Sequence, residues 1–449
     1  MAINPNSKPK SKKKQHQSKH LTSPVLRILI FWGLILAGSA ISGASLAMML
    51  ATKPLGHKAT NHPSTILQSS LIHGLEQPIN ILILGIDNTD TESSNAVSPD
   101  ASTGLGGNSD TMLLVRLLPK THQINVLSIP RDTLVELPEI GIDKINDANP
   151  VGGTDLAAHA VSRLVGGIQI DRYIRLGTQG LTSLVDSVGG VSIEIPKPMD
   201  YIDKTQKLNI HFAAGRQHLT GQQLQEYVRF RHDELGDIGR VQRQQVVLRA
   251  LADRILKPQT LPKIPALMQT MHRDVETDLS VEELLAVTRA LAETSAKKIN
   301  FVMLPGRFSR PDEYELSYWI ADPEKLAPIV SRYFSDSKTD SNNDRLAVPI
   351  RDLSIAVVNA SGQRGIDLRL VSWLHRKGFS NVYVTDHEVD ANEIGNTTQI
   401  VAQHGNPQSA NDLQKILSKG QVQVESTGDI LSDLTVVVGS DLIEQLEVY

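Results

Sequence analysis

The sequence predicts an α/β protein: a single N-terminal transmembrane helix, an α/β sandwich domain on a mixed central sheet, and a smaller C-terminal α/β domain. Short, nearly continuous apolar runs at 81–86, 111–118 and 124–129 are typical of strands that helices cover on both faces. Helical patterns follow without a strict βαβ alternation, which favours a sandwich over a Rossmann domain. A chain of 449 residues is long enough for two or three domains.

The N-terminus combines a basic segment with a long uncharged one. Residues 1–27 hold six lysines and Arg27 without an acidic residue, and residues 28–52 carry no charge. A helix of that length measures roughly 37 Å, which exceeds a bilayer core of about 30 Å. The positive-inside rule then predicts a plasma-membrane protein that spans the bilayer once, with a cytoplasmic N-terminus and an extracytoplasmic main body. A signal peptide cleaved near Ser45 and Ala47 is the alternative, and it also exports the rest.

Composition excludes several classes of function. The chain has no cysteine, so disulfides, cysteine-based zinc or iron-sulfur sites and a thiol nucleophile are ruled out. The net charge is −4, and removing the +7 of residues 1–27 leaves −11 for the remainder, which disfavours nucleic acid as a partner. The sequence also lacks the Walker A, GxSxG and HExxH motifs.

Changes in composition mark the domain boundaries. Residues 53–75 show no periodicity, and the polar run DSKTDSNNDR begins at Asp336. The predicted organisation is a basic cytoplasmic tail (1–27), a transmembrane helix (28–52), a linker (53–75), a catalytic domain (76–335), a second linker (336–351) and an accessory domain (352–449). In the catalytic domain we expect helices at 154–165, 178–187, 222–227, 238–256 and within 262–296, and a last strand at 299–304. In the accessory domain we expect strands at 353–358, 382–385, 400–402, 422–425 and 434–438, and helices at 368–377 and 410–418.

Arginines are concentrated near the long helix at 238–256. Arg229 and Arg231 are two residues apart, so they point to the same side of an extended chain. Asp237, Arg240 and Gln244 share one helix face near its N-terminus, where the backbone dipole favours an anion. Converging guanidinium groups suit a phosphate. The alternative is a solvated face on which nearby carboxylates pair the arginines; the candidates are Asp233, Glu234 and Asp237.

Charged residues also lie at the ends of the apolar strands. Asp87 ends the first, Asp110 opens the second, and Arg131 with Asp132 follows the third. Ligands of α/β sheets lie beyond strand ends, so the two carboxylates could hold a divalent cation and Arg131 the phosphate that the cation bridges. Alternatively, Asp110 caps a turn and Asp132 pairs Arg131 or holds its own loop.

Several motifs, in order along residues 80–304, resemble the LytR-CpsA-Psr family. They are ILILGID (81–87), SDTMLLV (109–115), LSIPRDT (127–133), KINDANPVGG (144–153) and YVRFRHDELGDIGRVQRQQ (227–245). Two shorter motifs, VVNASGQRG (357–365) and VVVGSD (436–441), resemble the accessory domain often attached to this family.

The resemblance implies a phosphotransferase that acts outside the membrane. Such an enzyme moves a glycopolymer with one phosphate from a polyprenyl pyrophosphate carrier to a hydroxyl of peptidoglycan or another envelope acceptor, and releases polyprenyl phosphate. By motif position, Asp87 and Asp110 correspond to the carboxylates that bind Mg²⁺ or another divalent cation, and either is a candidate base. The pyrophosphate-binding set corresponds to Arg131, Arg229, Arg231, Arg240 and Gln244, with Asp237 among them; we expect Asp87, Asp110, Arg131 and Asp237 to take part in catalysis.

The sequence departs from the family pattern before the SDT element. Many relatives carry an arginine where this chain has Asn108, and the loop from Asn88 to Asn108 is long and acidic. One phosphate contact of the family is therefore expected to be missing. The alternative function is a non-catalytic protein that binds polyprenyl phosphate or serves envelope assembly or regulation.

Overall fold

The structure is a computed structural model that describes residues 75–87, 105–138, 140–195, 197–203, 208–230, 237–255, 257, 259–260, 275–295, 298–335, 349–385 and 396–447. The predicted basic tail, the predicted transmembrane helix and the linker up to residue 74 lie outside these ranges. Within them, no helix is long and apolar enough to cross a membrane.

Residues 75–335, here called the larger region, are built around a six-stranded mixed sheet. The strands of this region are β1 (Ile79–Asp87), β2 (Asn108–Leu118), β3 (Gln123–Ile129), β4 (Leu134–Leu137), β5 (Gly141–Lys144), β6 (Arg172–Gly177), β7 (Val191–Ile195), β8 (Met199–Asp203), β9 (Leu208–Phe212), β10 (Gly215–Leu219), β11 (Val275–Thr277), β12 (Ile299–Met303), β13 (Gly306–Phe308) and β14 (Trp319–Ala321). The sheet order is β11-β6-β1-β2-β3-β12. β1 pairs parallel with β6, and β3 pairs parallel with β12, whereas the β1–β2 and β2–β3 pairs are antiparallel. The predicted mixed sheet is confirmed.

Helices cover both faces of this sheet. They are α1 (Ala148–Leu164), α2 (Thr178–Ser187), α3 (Gly221–Arg229), α4 (Asp237–Ile255), α5 (Val281–Glu293) and α6 (Pro323–Tyr333). Along β1, Leu82 and Leu84 join a core with residues of α1 and α6, whereas Ile81 joins a second core with residues of α5. Both faces are apolar because both are covered, which explains the continuous apolar runs.

Residues 349–447, here called the smaller region, have their own sheet and core. Its elements are β15 (Ile355–Asn359), α7 (Ile366–Arg376), β16 (Val382–Val384), β17 (Gln399–Ala402), α8 (Pro407–Leu417), β18 (Gln421–Gln423), β19 (Leu434–Val438) and α9 (Ile443–Glu447). The sheet order is β16-β15-β19-β17-β18. A 3-10 helix at Ile350–Asp352 lies at the predicted boundary, while residues 336–348 of the predicted linker lie outside the described ranges.

Candidate active site

One edge of the six-stranded sheet gathers the predicted site residues. Because β1, β3 and β6 run parallel to one another, their carboxyl ends meet at the same edge, and the antiparallel β2 begins there. Asp87 therefore ends β1 beside the first residues of β2, which include Asp110, while Arg131 follows β3. α2 starts at Thr178 immediately after β6.

Arg229 forms an ion pair with Asp87. Its NH2 nitrogen lies 3.0 Å from Oδ2 and 3.2 Å from Oδ1 of Asp87. α3 presents this arginine in its last turn; the helix starts with a capping box in which Thr220 and Gln223 satisfy each other's backbone N–H groups. The Thr178 hydroxyl donates to the backbone carbonyl of Ile86 at 3.0 Å and lies 3.4 Å from Oδ1 of Asp87. The partner of Arg229 is thus a strand-end carboxylate distant in sequence.

A second network joins Asp110, Arg131 and Asp132. NH1 of Arg131 donates to Oδ1 of Asp110 at 2.6 Å, while its Nε lies 3.7 Å from Oδ2 of Asp132. Asp132 is held instead by Arg240 at 2.7 Å and by Lys144 at 2.9 Å. Arg240 is almost completely buried. Three cations, Arg131, Lys144 and Arg240, therefore lie within 4 Å of the Asp132 carboxylate.

The two carboxylates of this network differ electrostatically. Burial raises the pKa of Asp110 above its usual value, and the nearby Asp87 raises it further, which outweighs the lowering effect of Arg131. Burial also acts to raise the pKa of Asp132, but the hydrogen bond from Lys144 and the charges of Arg131 and Arg240 outweigh it and leave that pKa below the usual value. Asp110 is therefore the more basic of the two groups, and the surrounding cations favour the ionised form of Asp132.

Three predicted site residues remain: Gln244, Asp237 and Arg231. Gln244 is half-buried on α4, and Asp237 begins that helix, but the Asp237 side chain and all of Arg231 lie outside the described part of the structure. The carboxylates Asp233 and Glu234 of the alternative pairing lie outside it as well.

Sequence reasoning missed Lys144, Thr178 and Gln245. Lys144 opens the KINDANPVGG motif, so that motif was its signal. Gln245 is buried, and its amide donates to the Ser128 hydroxyl of β3 at 2.8 Å. A glutamine beside another glutamine on a helix gives no sequence signal for which one faces the sheet.

Asn108, the first residue of β2, is hydrogen-bonded to the 3-10 helix at Ile145–Asp147. Its side-chain amide donates to Oδ1 of Asp147 at 2.7 Å, and its backbone is in register with Asp87. Burial raises the pKa of Asp147, while the hydrogen bond from Asn108 acts in the opposite direction.

The fold and this charged edge define an α/β protein with a candidate anion site at its strand ends. A model described as the LytR_cpsA_psr family matches residues 49–333, and a model described as LytR cell envelope-related transcriptional attenuator matches residues 352–442. The first match covers more than half of the chain, and the chain belongs to the LytR-CpsA-Psr family.

The two curated relatives described below are both named teichoic acid transferases. The chain is 31% identical over 245 residues to polyisoprenyl-teichoic acid–peptidoglycan teichoic acid transferase TagV of Bacillus subtilis, with 54% of this chain and 60% of that protein covered. It is 34% identical over 213 residues to the transferase TagU of Oceanobacillus iheyensis, with 46% and 60% covered. The chain thus spans about 60% of the length of these two curated relatives. The crystal structure of B. subtilis TagV aligns with a TM-score of 0.47 at 28% identity, over 58% of this chain and 98% of that one.

Proposed function

We propose that the protein is a membrane-anchored phosphotransferase. It moves a glycopolymer with one phosphate from a polyprenyl pyrophosphate carrier to a peptidoglycan-type hydroxyl and releases polyprenyl phosphate. The carrying observation is the convergence of Arg131, Arg229 and Arg240 on carboxylates at one sheet edge. Two of the carboxylates, Asp87 and Asp110, lie on adjacent strands. The names of the two relatives, both transferases that act on polyisoprenyl-linked polymers and peptidoglycan, support the same reaction.

The donor set suits a magnesium ion. Mg²⁺ is usually held by one or two carboxylates together with substrate phosphates and water, and Asp87 and Asp110 supply two carboxylates. In the described residues, no cluster of three or more histidine, aspartate or glutamate side chains could hold a metal by itself, so substrate oxygens and water would complete the shell. Bound there, Mg²⁺ would neutralise charge on the pyrophosphate.

The chain's own residues account for the rest of the reaction. Arg131, Arg229 and Arg240 orient the pyrophosphate and offset the negative charge of the transition state. The acceptor oxygen forms a bond to the phosphorus that carries the glycan, and the bond from this phosphorus to the polyprenyl phosphate breaks. A carboxylate takes the acceptor proton. Asp87 and Asp110 are the two candidates for this base, since both lie at the strand ends beside the arginines.

The transfer is tested with the full chain in detergent, a polyprenyl pyrophosphate-linked glycan, an acceptor and Mg²⁺. Arg131→Ala is expected to lower release of polyprenyl phosphate by about 100-fold or more. Arg289→Ala is the matched control, since Arg289 is exposed and pairs with Glu293 one turn along the same helix. Unchanged release from folded Arg131→Ala would overturn the proposal. Lipid binding without turnover on any acceptor would favour the non-catalytic carrier-binding alternative.

We further propose that residues 28–52 anchor the protein in the plasma membrane with its N-terminus inside. Because the chain has no cysteine, single cysteines report topology cleanly. In intact cells, a membrane-impermeant maleimide is expected to label Lys419→Cys, at an exposed position, and to spare Ser7→Cys. Labelling of Ser7→Cys would contradict this orientation.

A further inference from the structure

The smaller region contacts one lateral edge of the six-stranded sheet, the side of β12 that faces away from β3. β12 is the last strand of that sheet, so one side of its backbone has no neighbouring strand in the sheet. The backbone N–H of Phe301 donates to the carbonyl of Val424 at 3.2 Å, and the N–H of Met303 donates to the Ser426 hydroxyl at 2.7 Å. Residues 424–426 directly follow β18, the edge strand of the smaller sheet. Residues 424–426 therefore pair with the open side of β12 and cover part of an exposed strand edge.

Apolar packing and further hydrogen bonds reinforce this contact. Ile430 is buried in the same core cluster as the residues of β1, α1 and α6, and Val424 packs against that cluster. The Tyr333 hydroxyl donates to the buried backbone carbonyl of Gly405 at 2.7 Å. The larger region's core thus includes side chains from the smaller region, as in a permanent interface.

One ion pair of this contact involves the helix that carries Arg240. NH2 of Arg249, on α4, lies 3.0 Å from Oε1 of Glu425, and the two side chains are 22% and 12% exposed. Side chains of α4 also contact the larger region: Arg240 binds Asp132, Gln245 binds Ser128, and Arg243 and Arg254 donate to backbone carbonyls of Phe230 and Val188. The Arg249–Glu425 pair adds a contact from the smaller region.

We propose that Glu425 is a positioning residue: by holding Arg249 it fixes α4, and through α4 it sets the position of Arg240 at the site. The smaller region is then a fixed part of the catalytic structure. A partly buried charge pair resists sliding of the helix because separating its two charges costs free energy in a partly dry environment. Arg249 also lies 3.5 Å from Asp253 of the same helix, but that pair moves with α4 and cannot fix its position. The effect on catalysis rests on the proposed function, whereas the effect on the helix does not.

The test compares Glu425→Gln with wild type in the full chain by amide hydrogen exchange and steady-state kinetics. Exchange in residues 237–249 is expected to rise about fivefold, and exchange in α5 is expected to stay unchanged. The KM for the pyrophosphate donor is expected to rise about fivefold, because Arg240 binds the donor. A purely structural loss would lower the fraction of active enzyme, and hence kcat, at constant KM.

Lys325→Gln is the matched control. Lys325 also pairs with the smaller region, through Asp433 at 2.9 Å, but lies on α6. It is expected to leave exchange in residues 237–249 and the donor KM at the wild-type values. Equal effects of the two substitutions, or wild-type exchange in Glu425→Gln, would overturn the proposal. If wild-type protein transfers nothing, the proposed function fails and the exchange comparison still decides whether Glu425 fixes α4.

Discussion

The two sheets of this protein place different chemistry at their strand ends. In the larger sheet, Asp87 lies at the carboxyl end of β1, and Arg131 and Asp132 follow the carboxyl end of β3. All three side chains form ion pairs with distant parts of the chain. In the smaller sheet, β15 ends at Asn359, whose amide donates to the Gln363 carbonyl and whose oxygen accepts from Ser361. Both are strand ends in α/β folds; among the described residues, the ends of β1 and β3 carry several charged side chains, whereas β15 ends in a neutral amide.

The difference lies in how far apart in sequence the partners are. Asn359 and Gln363 are 4 residues apart, so that contact closes a local loop. Arg229 and Asp87 are 142 residues apart, and Arg240 and Asp132 are 108 apart. Bringing charges together over such distances costs chain entropy and desolvation, which a ligand of opposite charge would help to offset. A strand end alone therefore does not define a charged site. Charged residues distant in sequence must also pack against it.

The strongest way to break this comparison is to remove one strand-end side chain from each sheet. Arg229→Ala is expected to lower transfer by about 100-fold, because it removes a donor to which we assign pyrophosphate binding. Asn359→Ala, at the other edge, is expected to keep transfer within about twofold of wild type. Initial rates of polyprenyl phosphate release measure both. Equal loss in the two variants would show that the edges are not functionally distinct.

Asp132→Asn tests how much stability the larger network contributes. Arg240 is 7% exposed and Lys144 is 24% exposed, so both would lose their counter-ion in a partly dry environment. The free energy of unfolding is expected to fall by about 3 kcal/mol, measured by urea denaturation. Asp312→Asn is the control: its pair with Arg310 is exposed at the surface, and its removal is expected to cost less than about 0.5 kcal/mol. Similar costs would contradict the difference in burial.

Gly405→Ala tests the contact between the two regions. Gly405 has a φ of +69°, and an added Cβ would lie 3.0 Å from both Tyr333 and Val302 of the larger region. Gly362→Ala is the control, because Gly362 also has a positive φ, +77°, with no atom within 4 Å of the added carbon. Both variants lose about 1 kcal/mol from backbone strain, and Gly405→Ala is expected to lose about 1 kcal/mol more from crowding. Equal midpoints in urea would mean that this contact is loose.

The smallest expected effect is a pH-dependent change in the free energy of unfolding when Asp433 is replaced. Burial acts to raise the pKa of Asp433, but hydrogen bonds from His404, Lys325 and the Ser354 backbone outweigh it and hold that pKa well below the usual range. The ionised form therefore stabilises the fold above the unfolded-state pKa of about 3.9, and this contribution is lost as the pH falls from there through the folded-state pKa.

Asp433→Asn is accordingly expected to be less stable than wild type by about 1 kcal/mol near pH 5.5. The difference should narrow as the pH falls below about 4. Urea denaturation at several pH values measures it. A difference that stays constant down to about pH 2.5 would show that the charge of Asp433 is not what stabilises the contact.

Elements with a strong local pattern were predictable. The helix predicted at 178–187 matches α2, and the run at 81–86 lies within β1. α6 was missed although Asp322 caps it and Pro323 occupies its first turn, which together signal a helix start. Pro328 within the helix masks that signal, because proline disfavours helix interiors. The short hairpin of β4 and β5 was also missed, since four-residue strands carry little periodicity.

The sequence by itself determined four of the six strands of the larger sheet (β1, β2, β3 and β12), the motifs at their ends and the family to which they belong, because these depend on apolar periodicity and local residue order. It did not predict β6, and β11 lies within a stretch predicted to be helical. Only the tertiary structure decided which charges meet. Arg131 forms its short contact with Asp110 on β2 and not with the adjacent Asp132, which instead binds Arg240 and Lys144. Neighbours along a chain leave a strand in different directions, so the pairing depends on strand register and helix placement, which are set by packing across the whole region.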